Sequence, residues 1–150
     1  MTHSGGYAGD ILRVNLTTGG TERVPTRRYS DLFLGGRGIA ARIYWDEVPP
    51  GTDPFGPENR LIFVTGPVTA TTGFCGSRWQ VCGKSPLHNC FCYCNLGGDW
   101  GARLKMAGYD ALVVYGKADR PVYLWIRQDK VELVPAGYDP KKLDIALRWV

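Results

Sequence analysis

Asp10-Ile11-Leu12-Arg13-Val14-Asn15-Leu16, then Thr17-Thr18-Gly19-Gly20, then Thr21-Glu22-Arg23-Val24-Pro25, is the stretch on which the fold reading turns. Leu12, Val14 and Leu16 alternate with Arg13 and Asn15, the period of a half-buried strand. The Thr/Gly turn sends the chain back, so the stretch predicts a β-hairpin. Residues 121–127 and 130–134 predict a second hairpin across Gln128-Asp129. The two end alike: Glu22-Arg23-Val24-Pro25 leads to Tyr29 and a helix start, and Glu132-Leu133-Val134-Pro135 leads to Tyr138 and a helix start at Asp139-Pro140. A duplicated hairpin-then-helix unit is one reading; coincidence in a short Val-Pro match is the other.

Between the hairpins the pattern alternates strands and short helices. Ser30 or Asp31 reads as a helix N-cap before Leu32, Phe33 and Leu34. Gly35-Gly36-Arg37-Gly38 breaks that run, and residues 39–48 predict a helix with Ile39, Ile43 and Tyr44 on one side. Leu61-Ile62-Phe63-Val64 is a continuous apolar run, expected to be a strand buried on both faces. Residues 66–76 form a small-residue loop. Residues 78–82 and 90–94 are short strands around the Gly83-Lys84-Ser85-Pro86 turn. A short helix within residues 97–107 ends at Gly108, and residues 111–115 return to strand. The fold class expected is α+β and strand-rich. Residues 143–150 are apolar at helical spacing to the last position with no cap, so the single domain over residues 1–150 is expected to be cut short or to dock its last helix elsewhere.

With 150 residues, 44% hydrophobic and 21% charged, the chain can bury a core and is not of disordered composition. No apolar run reaches the roughly 18–20 residues of a membrane span. The N-terminal ten residues have neither the basic nor the apolar region of a secretory signal. Five cysteines without such a signal predict free thiols in a reducing, cytoplasmic setting. A net charge of +4 is scattered, which favours anionic small molecules over nucleic acid.

The chemistry-bearing stretch runs from Gly66 to Gly98. Glycines before a helix leave backbone N–H groups free for an anion. Arg78 carries a planar fork suited to phosphate or a polar heterocycle. Asn95 offers oxygens that suit a hard metal. Gly97 and Gly98 admit close approach. Turn glycines and a surface arginine would look the same. Neither a P-loop nor a dinucleotide fingerprint is present. Cys90, Cys92 and Cys94 alternate and would share one strand face, too far apart for a relaxed disulfide. A small apolar core face or metal ligation with Cys75 or Cys82 are the alternatives. His88 reads as a surface or hydrogen-bonded group, with a cofactor contact as the other option, and Arg37 and Arg103 as solvated faces, with anion contacts as the other option. Trp79, Trp100 and Trp125 read as core and interface.

Taken together, the stretches Ile11-Leu12-Arg13-Val14-Asn15-Leu16-Thr17-Thr18-Gly19, Phe33-Leu34-Gly35-Gly36-Arg37-Gly38, Asp53-Pro54-Phe55-Gly56-Pro57-Glu58-Asn59, Thr65-Gly66-Pro67, Gly76-Ser77-Arg78, Lys84-Ser85-Pro86, Asn95-Leu96-Gly97-Gly98 and Ala107-Gly108-Tyr109-Asp110-Ala111-Leu112-Val113-Val114 resemble the N-terminal domain of the tungsten-containing aldehyde ferredoxin oxidoreductase family. The last of them continues through Gly116-Lys117-Ala118 to Pro121-Val122-Tyr123. The likeness runs over about residues 7–138.

The resemblance implies a duplicated α+β unit that forms the base for a tungsten, or molybdenum, bis-pyranopterin. It implies oxidation of an aldehyde to a carboxylate, with electrons passed through a [4Fe–4S] cluster to ferredoxin or a similar carrier. By this resemblance Arg78 contacts a pterin. The Asn95 main-chain oxygen helps hold the magnesium that bridges the pterin phosphates, and Gly97 and Gly98 are close-approach glycines. Family enzymes are several times longer, and their cluster cysteines and acid/base residues fall beyond position 150. The chain is therefore expected to need downstream domains or a partner subunit to complete an active site, and no catalytic residue is assigned. Residues 69–74 and His88-Asn89 depart from the usual pattern. A non-catalytic pterin-binding or assembly subunit, an aromatic-ring-reducing branch and a Cys-rich metal-binding protein are the other readings.

Overall fold

The computed structural model describes residues 5–74, 76–127 and 130–137. Strands β1 (Asp10–Asn15) and β2 (Thr21–Pro25) form the first hairpin, with Ile11 opposite Val24. Helices α1 (Arg27–Ser30) and α2 (Arg37–Glu47) follow, then β3 (Leu61–Thr65), β4 (Trp79–Lys84), β5 (Phe91–Leu96), α3 (Trp100–Met106) and β6 (Tyr109–Tyr115). These six strands make one sheet in the order β2-β1-β6-β3-β4-β5. Only β1 and β6 run parallel within it. Strands β7 (Val122–Arg127) and β8 (Lys130–Pro135) make a separate two-stranded sheet. The chain is α+β and strand-rich.

Period-two alternation divides the core between the two faces of the large sheet. Ile11, Ile62, Val64, Cys82, Ala111 and Val113 face α2, whose Ile39, Ala40 and Ile43 complete that layer. Leu12, Val14 and Leu112 face the other way, against Leu104 of α3 and the Leu124, Ile126, Val131 and Leu133 stripe of the second hairpin. Ile43 is fully buried, which by itself is worth about 1.5–3 kcal/mol of apolar transfer. Among the described residues no helix is long and apolar enough to cross a membrane.

Several expectations shift. The helix near residue 30 covers Arg27–Ser30, and Asp31 is its C-cap rather than its N-cap. Thr26 starts it because its carbonyl accepts the Tyr29 and Ser30 N–H groups, and buried Tyr29 anchors the turn. Leu32 and Leu34 are exposed, since Gly35 and Gly36 at positive φ turn the chain before a second helical turn forms. α2 starts two residues early, at Arg37, with Gly36 as N-cap. Leu61 is half exposed while Ile62 and Val64 are buried, so β3 is covered fully only on the α2 side. The two hairpins also differ in setting: the first joins the large sheet and the second lies across its face. The helix start expected at Asp139-Pro140, Tyr138 and the apolar run 143–150 lie outside the described residues.

Candidate functional site

β4 and β5 pair antiparallel with Trp79 opposite Leu96 and Gln80 opposite Asn95. That register brings Arg78, just before β4, and Gly97-Gly98, just after β5, to the same end of one hairpin. Asn95 lies one pair further in. All four residues are exposed. The Arg78 guanidinium has no ion-pair or hydrogen-bond partner among the described residues. A Cβ at Gly97 or Gly98 would meet nothing within 4 Å, and Gly98 has φ +79°. The shelf is therefore open, with bare backbone on one side and an uncommitted cation on the other.

Neighbouring side chains brace it. The Trp79 indole N–H donates to Gly97 O at 3.0 Å. Trp79 packs against Trp100 with ring centroids 4.4 Å apart, and Phe63 completes the cluster at 5.3 Å from Trp100. Gly101 of α3 is required by this packing, because a Cβ there would stand 2.8 Å from Trp79 Cβ. Gln80 Nε2 donates to Asn95 Oδ1 at 2.7 Å, so the Asn95 side chain is engaged within the hairpin. Gln80 Oε1 is buried with no hydrogen-bond partner among the described residues. It faces a cavity of about 390 Å³ lined by Gly35, Gly36, Arg37, Gly66 and Pro67. On the same side the Arg37 guanidinium stacks over the Tyr93 ring at 4.2 Å.

The turn at the far end of the hairpin is structural. Lys84 is buried and its Nζ donates to Thr52 O at 2.6 Å. A Cβ at Gly83 would stand 2.7 Å from Arg60 O. His88 follows that turn, exposed, and is separated from Arg78 by the length of β4, about 20 Å at the usual strand rise. A shared contact with Arg78 on one small ligand is thereby removed. Arg103 is exposed on α3.

The cysteines depart from the core reading. Phe91 and Tyr93 meet α2 through Tyr44 and Arg37, so Cys92 and Cys94 face the opposite side. Both are exposed, as is Cys90, which precedes β5. β5 is an edge strand, and nothing described covers that side of it. Among the described cysteines only Cys82 is buried, and burial pushes its thiol up to about 11, so it stays protonated. Among the described residues no group of three His, Cys, Asp or Glu side chains could hold a metal ion. Cys75 lies outside the described residues.

A phosphate-bearing ring ligand needs a free cation, backbone it can approach and room above it. The shelf supplies each, so its residues fit such a group. Sequence reasoning missed Gln80, the Arg37–Tyr93 stack and the buried polar groups Thr69, Lys105 and Asp110. Lys105 had a signal: it lies four residues after Gly101, on the buried side of α3.

Residues 11–144 match the family model described as aldehyde ferredoxin oxidoreductase, N-terminal domain. The tungsten-containing aldehyde ferredoxin oxidoreductase of Pyrococcus abyssi (strain GE5 / Orsay) is 47% identical over 133 residues, covering 88% of this chain and 22% of that protein. The aliphatic sulfonate oxidoreductase, WOR-like subunit, of Pyrococcus furiosus is 38% identical over 134 residues, covering 85% and 21%. Among solved structures, the active site complex BamBC of benzoyl coenzyme A reductase with 1,5-dienoyl-CoA matches with a TM-score of 0.84 and 43% identity, over 87% of this chain and 20% of that one. The chain thus spans about a fifth of the length of the relatives it matches.

Proposed function

Because the chain belongs to the aldehyde ferredoxin oxidoreductase family, matching its N-terminal domain, we propose that residues 1–150 act as one cofactor-cradle domain of a cytoplasmic tungsten or molybdenum oxidoreductase. When bound, the bis-pyranopterin metal supplies the two-electron redox change that takes an aldehyde and water to a carboxylate. This chain binds and orients. The Arg78 fork pairs with an anionic edge of the pterin. Gly97 and Gly98 would let the ligand reach main-chain atoms, and the Asn95 main-chain oxygen would help hold a magnesium ion that offsets the phosphate charge. Paired phosphates repel at short range, which is why a guanidinium and a divalent cation belong together there. The [4Fe–4S] cluster and the acid/base groups would come from downstream domains or a partner subunit, with a ferredoxin-like carrier as the electron partner.

The observation that carries this reading is the Arg78 guanidinium, without a partner among the described residues, opposite bare Gly97-Gly98 at one hairpin end. The test is metal and pterin content of the purified protein, by mass spectrometry and pterin fluorescence. Arg78→Ala is expected to lower both at unchanged fold; equal content in variant and parent would overturn the role. A second reading, reduction of an aromatic-ring substrate on the same cradle, is favoured by the likeness to the BamBC complex. Turnover with aldehydes against aromatic thioesters separates the two.

A further inference from the structure

We infer that Thr69 is a positioning residue for Arg78, the last link of a buried polar chain that begins at the Asp110–Lys105 pair. The inference rests on the proposed role of Arg78 and deepens it. Asp110 is almost fully buried at a shift in the β1–β6 register, where Tyr109 pairs with Asp10 and Ala111 with Ile11. Its carboxylate accepts the Ala8 and Gly9 N–H groups, both at 2.9 Å, and the Thr26 hydroxyl at 2.7 Å. Lys105 Nζ stands 3.5 Å from it and donates onward to Gly66 O at 2.5 Å.

From Gly66 the chain of bonds runs to the shelf. The Thr69 N–H donates to Gly66 O at 3.1 Å, and the Gly66 N–H donates to Thr69 Oγ1 at 3.2 Å. The Thr69 hydroxyl donates its one proton to Arg78 O at 3.4 Å. Every group therefore has one consistent donor and acceptor assignment. Thr69 is 3% exposed, so losing the Arg78 bond would leave its hydroxyl proton without an acceptor, although its oxygen still accepts from Gly66. The intervening loop closes tightly, since a Cβ at Gly76 would stand 2.6 Å from Val68 O. The Arg78 side chain has no described partner of its own. Its direction is set by its main chain, held by Thr69 on one side and by the Trp79–Leu96 pair on the other.

The test compares Thr69→Val, which swaps the hydroxyl for a methyl, with Thr69→Ser, which restores it, in the purified cofactor-loaded protein. Two quantities are read: amide hydrogen exchange over residues 76–80, and the rate at which tungsten or molybdenum and pterin are lost on gel filtration. Thr69→Val is expected to speed both by about two- to threefold, the scale of one long hydrogen bond. Thr69→Ser is expected to return both to the parent values. Faster exchange with unchanged cofactor loss would support the Thr69–Arg78 link and overturn the contact between Arg78 and cofactor. Unchanged exchange at residues 76–80 would overturn the inference itself. Thr69→Ala removes the same hydroxyl without the added methyl and replaces the valine variant if that chain does not fold.

Discussion

Gly101→Ala sets two effects of opposite sign against each other. Position 101 is the second residue of α3, where alanine in place of glycine favours the helix by at most about 1 kcal/mol. The added Cβ, however, would stand 2.8 Å from Trp79 Cβ and 3.0 Å from its Cγ and Cδ1. Ordinary carbon contacts begin near 3.4–4 Å, so α3 or Trp79 must move by roughly 0.5–1 Å. Trp79 has little freedom to do so. Its ring is packed against Phe63 and Trp100, and its N–H is bonded to Gly97 O. Overpacking of this kind costs about 1–3 kcal/mol. The cost outweighs the propensity gain, leaving a net loss of about 1 kcal/mol, or about 2–4 °C in Tm for a chain of this size. The assay is urea unfolding followed by tryptophan fluorescence, with the midpoint falling at constant m-value. A midpoint that rises by the full helix-propensity gain would show that α3 does not rest on Trp79, and the bracing of Gly97 would fall with it.

Other outcomes follow from the same contacts. Ile43→Ala empties a fully buried site between α2 and the sheet and is expected to cost about 2–5 kcal/mol, read from the same urea midpoint. Glu47 links acid stability to structure. Burial alone would raise its carboxyl pKa, but the hydrogen bonds and charges of Arg13 and Arg60 outweigh burial and hold it below the ordinary 4.5. Its contribution is full above the unfolded value and is lost as pH falls through the lowered folded one. Stability is thus expected to drop below about pH 4.5, and Glu47→Gln is expected to flatten that slope in urea midpoints taken from pH 3 to 7. Iodoacetamide labelling mapped by mass spectrometry is expected to modify Cys90, Cys92 and Cys94 before Cys82, which is buried and held protonated; equal rates would contradict the exposure of β5.

Local pattern carried most of the elements. The β1–β2 alternation, the β4–β5 and β7–β8 hairpins and the Gly108 stop of α3 are near-neighbour effects of period and turn chemistry, and they appear where expected. The small helix after β2 lies earlier than the pattern predicts, because Leu32-Phe33-Leu34 looks like a buried helical run. What decided it instead were Thr26 and Tyr29, which are held from across the fold by Asp110 and the sheet. The cysteines, open in the sequence between a core face and metal ligation, were settled by the sheet: Cys90, Cys92 and Cys94 are exposed. Alternation predicts which residues share a face, but only the sheet order reveals that β5 is an edge with that face uncovered.

The candidate shelf divides along the same line. Arg78, Asn95, Gly97 and Gly98 could be singled out from residue chemistry and from the order of the motifs around them. Their meeting at one end depends on the β4–β5 register, a pairing between residues some 18 positions apart. Thr69 and Asp110 gave no comparable signal, because a threonine and an aspartate are ordinary surface residues until burial removes water from them. By itself, the amino-acid order determined the strands, the turns and the chemical groups available. The tertiary structure alone decided which groups are desolvated, which are left without partners and which can touch, because burial and long-range pairing exist only once the sheet has closed.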